Sequence, residues 1–201
     1  FLKEWGSKNV TIPSLLEFKP MAKTTIYLVD KPYAAQSVVL IGQRSNSYDF
    51  DGDYYKSNIM NFSLGGAFNS RINLNLREDK GYTYGARAFF SGNKYTGSYT
   101  FSSNIKKEAT DSAIEECMKE ISGFVATGIT QDELDFTKSS ILLNKALQFE
   151  TPRQKLGFVG RILRYDLPSD YTQKQETILN GMTVGSINGL AKKSLQPNNM
   201  V

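Results

Sequence analysis

The sequence predicts an α+β domain: a mixed, largely antiparallel sheet with helices packed on one of its faces. Three observations predict it. Runs rich in β-branched and aromatic residues, two of them alternating with period two, fill the first half of the chain. Apolar stripes at helical spacing fill the second half. The strands precede the main helices instead of alternating with them, as expected of helices stacked on one side of a sheet.

Residues 1–20 hold Trp5, Pro13 and Pro20 with little periodicity and read as a linker or lead-in segment, leaving 21–201 as one domain. Phe1 rather than methionine opens the chain, as expected of a processed or excised piece. Residues 24–29 (Thr-Thr-Ile-Tyr-Leu-Val) have the composition of a strand. Asp30-Lys31-Pro32 turns the chain, and residues 37–43 give a second strand whose unbroken apolar run places it inside the sheet. Residues 53–63 read as a helix packing Ile59, Met60 and Phe62, broken by Gly65-Gly66. Phe68, Ile72 and Leu76 then fall on one face of the next helix, with Gly81 placed to end it in a left-handed cap.

Tyr84, Ala86, Ala88 and Phe90 alternate along a third strand. After a Gly92-Asn93 turn, Tyr95, Gly97, Tyr99, Phe101 and Ser103 alternate along a fourth. The other face of that strand is Thr96, Ser98, Thr100 and Ser102, which makes a hairpin with one wet or ligand-facing side. A wide stripe follows (Ala113, Ile114, Cys117, Met118, Ile121, Phe124, Val125) and stops at Gly128. Thr130 and Glu133 have capping-box spacing, Thr151-Pro152 is a second helix start, and Thr183 caps a last helix carrying Ile187, Leu190 and Ala191. Pro197-Asn198-Asn199 turns the chain again where another strand could begin, so the sheet is expected to lack its final strand.

Composition narrows the chemistry. The chain has 201 residues, no histidine and one cysteine. It therefore lacks the commonest metal ligand and the commonest general base, and no cysteine–histidine pair is available. Cys117 sits in the helical stripe and reads as a small core residue. The net charge of +4 is spread among acids without a basic run, which argues against nucleic acid, and no stretch has the apolar length of a membrane span.

The most informative stretch is 64–85. It reads as a double-glycine turn, a short helix, a charged exit and a tyrosine that opens a strand. Arg77 and Tyr84 stand on either side of a tight glycine turn, and both donate hydrogen bonds suited to a carbonyl oxygen or a carboxylate. The same residues also fit a solvated last helical turn and a core tyrosine of the hairpin. Arg71 reads as structural.

Leu64-Gly65-Gly66, Ser70-Arg71-Ile72, Leu76-Arg77-Glu78 and Gly81-Tyr82-Thr83-Tyr84-Gly85 together resemble the non-catalytic half of the insulinase/pitrilysin family of zinc metalloproteases. The resemblance implies homologous α+β domains that clasp a peptide in a chamber. One half bears an inverted His-x-x-Glu-His zinc motif, and the other supplies an arginine and a tyrosine, which fall here on Arg77 and Tyr84. No catalytic residue and no metal ligand is assigned to this chain. Zinc is expected on a zinc-bearing homologous domain, in the same polypeptide or on a separate subunit, and the substrate is a peptide. A subunit that keeps the fold for assembly without hydrolysis is the alternative, and a basic module for an acidic partner is a third.

Overall fold

A computed structural model describes Gly6 and residues 9–11, 23–147 and 149–201. The lead-in expected over 1–20 lies almost wholly outside the described residues. Three antiparallel strands form the sheet: β1 (Gln36–Ser45), β2 (Thr83–Gly92) and β3 (Gly97–Lys106), with β3 in the middle. Two short helices lie between β1 and β2. These are α1 (Asp53–Asn61) and α2 (Arg71–Asn73), and each runs on into a wider π-helical turn, Phe62–Gly66 and Leu74–Asp79. Five helices follow the hairpin: α3 (Thr110–Thr127), α4 (Gln131–Leu147), α5 (Pro152–Tyr165), α6 (Tyr171–Gly181) and α7 (Val184–Ser194).

Strand alternation sorts the sheet into two faces. Val39 and Ile41, Ala86, Ala88 and Phe90, and Tyr99, Phe101 and Ile105 are buried on one. Against them pack Ile59, Met60 and Leu64, then Ile72 and Leu76, then the α3 stripe of Ala113, Cys117, Ile121 and Phe124, with Ile187 and Ala191 behind. Burial of each large aliphatic or aromatic side chain contributes about 1.5–3 kcal/mol, so this one-sided core is what anchors the sheet. Its other face stays open.

The helix boundaries follow their local signals. Glu133 N–H donates to Thr130 Oγ1 at 3.2 Å and Thr130 N–H to Glu133 Oε2 at 2.8 Å, a closed capping box. Thr151 with Gln154 and Thr183 with Ser186 form two more. Gly81 has φ of 64°, and the Tyr82 N–H returns to the Leu76 carbonyl at 2.9 Å, the left-handed exit expected there.

Other expectations are corrected. Residues 24–29 form no ladder. Among the described residues only Thr24 and Thr25 of this run donate backbone hydrogen bonds, and residues 26–29 are exposed, because β-propensity without a paired neighbour does not make a strand. Among the described residues β1 stands at one side of the three-stranded ladder, with Gly42 bonded reciprocally to Val201 on its outer side. Gly65-Gly66 does not break α1, whose helical path continues through Gly66. Phe68 does not share the buried face of Ile72 and Leu76, since it lies in the turn before α2 and is 62% exposed. Tyr95 belongs to the hairpin loop, where Asn93 Oδ1 accepts the Tyr95 and Thr96 N–H groups at 2.8 and 3.0 Å.

Candidate functional site

The start of β2 carries a β-bulge. Thr83 pairs with Ile105 and Ala86 with Ser103, so Tyr84 and Gly85 together stand opposite Asn104. The extra residue reverses the side-chain parity. Thr83 and Ala86 both point inward and Tyr84 turns out, 90% exposed. This overturns the even alternation of Tyr84 with Ala86, Ala88 and Phe90, and with it the reading of Tyr84 as a core residue. Buried hydroxyls hold the bulge in place. Gly85 N–H donates to Thr83 Oγ1 at 3.1 Å, while Ser103 Oγ lies 3.0 Å from Thr83 Oγ1 and 2.9 Å from the Gly85 carbonyl.

Asparagine side chains take the place of a neighbouring strand on the outer edge of β2. Ala86 N–H donates to Asn73 Oδ1 at 2.8 Å, and Asn61 Nδ2 donates to the Ala88 carbonyl at 2.7 Å. Gly65 explains how α1 comes close enough: a Cβ there would lie 2.5 Å from Ala88 Cβ. The double glycine thus serves close helix–strand packing, and Gly65 and Asn61 dock together on Ala88.

Arg77 lies in the last turn before Gly81. Its guanidinium stacks 4.6 Å over the Phe68 ring and pairs with Glu78. Among the described residues, no hydrogen bond or ring contact joins Arg77 to Tyr84, and the Tyr84 side chain makes none. Both groups stand at one end of β2, each with solvent access. Arg71, in contrast, is built into the scaffold. It grips Glu133 with two bonds of 2.6 Å, donates to the Gly128 carbonyl at 2.9 Å and covers the Phe124 ring at 5.0 Å. Burial by itself would raise the Glu133 carboxyl, but the Arg71 guanidinium and the Thr130 N–H outweigh it and hold that group below its ordinary value.

The open sheet face continues from Tyr84. Register sets Leu40, Ser102 and Arg87 in one row and Gly42, Thr100 and Phe89 in the next. Ser98, Thr100 and Ser102 are half-buried there, with Arg87 and Phe89 exposed. Beside β2 a cleft of about 420 Å³ is lined by Tyr55, Asn58, Asn61, Phe62, Arg87 and Phe89. Sequence reasoning missed Arg87 and Phe89, although their parity opposite Ala86 and Ala88 was a signal. Asn61 and Asn73 gave none, because their partners lie 27 and 13 residues away.

The donor set does not fit a catalytic zinc in this chain. It has no histidine, and Cys117 is fully buried with its thiol pushed well up by desolvation. Among the described residues, no three cysteine, aspartate or glutamate side chains gather where they could hold a metal ion. No helix there is long and apolar enough to cross a membrane.

Residues 1–141 match the profile of the peptidase M16 inactive domain. The chain belongs to that family. A Helicobacter pylori protein named non-peptidase homolog YmxG is 27% identical over 167 residues, 82% of this chain and 38% of that protein. This M16 inactive domain therefore spans well under half of that relative's length. Two solved structures share its fold. The peptidase M16 inactive domain from Pseudomonas fluorescens superposes with a TM-score of 0.75 at 23% identity, covering 83% of this chain and 40% of that one. A protease from Helicobacter pylori gives 0.86 at 16% identity, covering 99% and 47%.

Proposed function

We propose that this M16 inactive domain is the substrate-holding, non-catalytic half of a zinc-dependent peptidase, contributing Arg77 and Tyr84 to a peptide chamber that a zinc-bearing homologous domain completes. The observation that carries this reading is the bulge at Tyr84-Gly85, which turns a phenol outward beside a polar open face. A phenol donates to a carbonyl oxygen without adding a full charge. A guanidinium takes a carbonyl or a terminal carboxylate with its planar fork. Seated at a hydroxyl-locked bulge and in a capped helical turn, both would be presented by rigid backbone. Bond cleavage itself requires the metal chemistry of the other half.

The second reading, an assembly subunit of the same fold without hydrolysis, is favoured by one comparison: the Helicobacter pylori relative bears the name of a non-peptidase homolog.

Reconstitution with a zinc-bearing M16 domain tests both. Peptide cleavage that depends on zinc, and that falls about 10²–10³-fold in Tyr84→Phe or Arg77→Ala, supports the first reading. Cleavage unaffected by either change removes the assigned roles. A stable complex that cleaves no peptide establishes the second.

A further inference from the structure

The cleft beside β2 carries chemistry of its own. Arg87 and Phe89 follow Tyr84 along the strand, with Arg87 about 10 Å further on, and both line the cleft. Phe62 from the π-helical turn and Ile141 from α4 add apolar walls. Tyr55 of α1 adds a ring, since its hydroxyl is committed to the Gln175 carbonyl at 3.2 Å. A volume of about 420 Å³ falls within the usual range of small-ligand pockets, about 300–1,000 Å³.

Two polar groups of this cleft are left without partners. Arg87 is exposed, which places it at the mouth, and its guanidinium makes no hydrogen bond, ion pair or ring contact among the described residues. The cleft lining holds no carboxylate and no second cation. Asn61 is 3% exposed, which places it at the floor. Its Nδ2 is taken by the Ala88 carbonyl at 2.7 Å, and its Oδ1 is buried with no partner among the described residues. Gly66, also in the lining, adds no side chain there, and a Cβ on it would stand 3.4 Å from Asn61 Nδ2. Native interiors leave few buried acceptors without a donor. The cleft therefore offers a cationic donor at its mouth, apolar walls, and an acceptor below them.

We propose that this cleft holds the C-terminal residue of a peptide, an aromatic one with an O–H or N–H at its tip (tyrosine or tryptophan), a role that rests on the reading of this chain as a peptide-holding half. Arg87 takes the terminal carboxylate with its planar fork. The ring fills the space lined by Phe62, Phe89 and Ile141, and its tip donates to Asn61 Oδ1. An aspartate or glutamate inside a peptide would meet Arg87 but leave the apolar walls and Asn61 unmatched. A terminal aromatic residue carries carboxylate, ring and donor on one Cα.

An NMR titration of the whole chain with the free acid of acetyl-Ala-Ala-Ala-Tyr tests this. Saturable binding of one peptide per chain is expected. Amidating the C-terminus should weaken it about tenfold, and a final phenylalanine about fivefold. Arg87→Gln should bring the free acid down to the affinity of the amide without changing the amide itself, while Phe89→Ala should weaken both. Arg87 and Phe89 are exposed, so both variants should keep the circular dichroism spectrum of the parent. Equal affinity for acid and amide, equal affinity for tyrosine and phenylalanine, or no binding at millimolar peptide overturns the proposal. Free tyrosine binding as tightly as the peptide assigns the cleft to an amino acid and overturns it too. These readouts need no zinc-bearing domain, so their failure is distinct from a failure of the cleavage assay on Arg77 and Tyr84.

Discussion

Asn73 Oδ1 accepts the Ala86 N–H at 2.8 Å, tying the helix of the double-glycine stretch to the strand just past the bulge that exposes Tyr84. The exposed tyrosine thus depends on a buried asparagine. Asn73→Leu leaves the Ala86 N–H buried without an acceptor, and an orphaned backbone donor costs about 1–3 kcal/mol. Urea unfolding should show a loss of that size. Thr83→Val, which removes the hydroxyl at the centre of the bulge, should speed amide exchange at Gly85.

Gly65 meets Ala88 closely enough that an added methyl has no room. Gly65→Ala should destabilise by about 1–3 kcal/mol through overpacking. Replacing Ala88 by glycine in the same chain should recover part of the loss. A double-mutant cycle showing strict additivity would remove the contact as the cause.

The Arg71–Glu133 pair imposes a pH dependence. Its carboxyl is held below the ordinary value in the folded state. Its stabilisation is therefore present above the ordinary glutamate range (about 4.3) and is lost as pH falls through the lower folded value. Glu133→Gln should flatten the stability profile in that acid window. At neutral pH it should cost about 1–2 kcal/mol, between the values for exposed and buried pairs, since the two side chains are 24% and 27% exposed.

Tyr84→Phe should leave stability within about 0.5 kcal/mol of the parent, because the hydroxyl of this 90% exposed side chain bonds to none of the described residues. A melting curve settles this before any cleavage assay is interpreted. An unfolded Tyr84→Phe protein would mean that the residue is structural after all.

Cys117 has no exposure, and burial raises its thiol far above the reactive range. Iodoacetamide should leave it unmodified in native buffer and label it fully in denaturant. Rapid native labelling would contradict its place beneath the sheet.

What was legible in the sequence was local. The capping pairs Thr130 with Glu133, Thr151 with Gln154 and Thr183 with Ser186 lie three residues apart, and Gly81 and Gly128 end their helices with positive φ. Such signals act within one turn of chain, so the α+β class, the helix starts and the hairpin could be read without a partner in view. The tertiary structure decided what depends on distant neighbours. Arg71 finds Glu133 across 62 residues, and Asn61 reaches the strand edge at Ala88 across 27. Residues 24–29 have strand composition, but among the described residues no ladder bonds them. A single extra residue opposite Asn104 turned Tyr84 from the core side to solvent, because parity in a strand is set by the ladder it pairs with and not by its own order of residues.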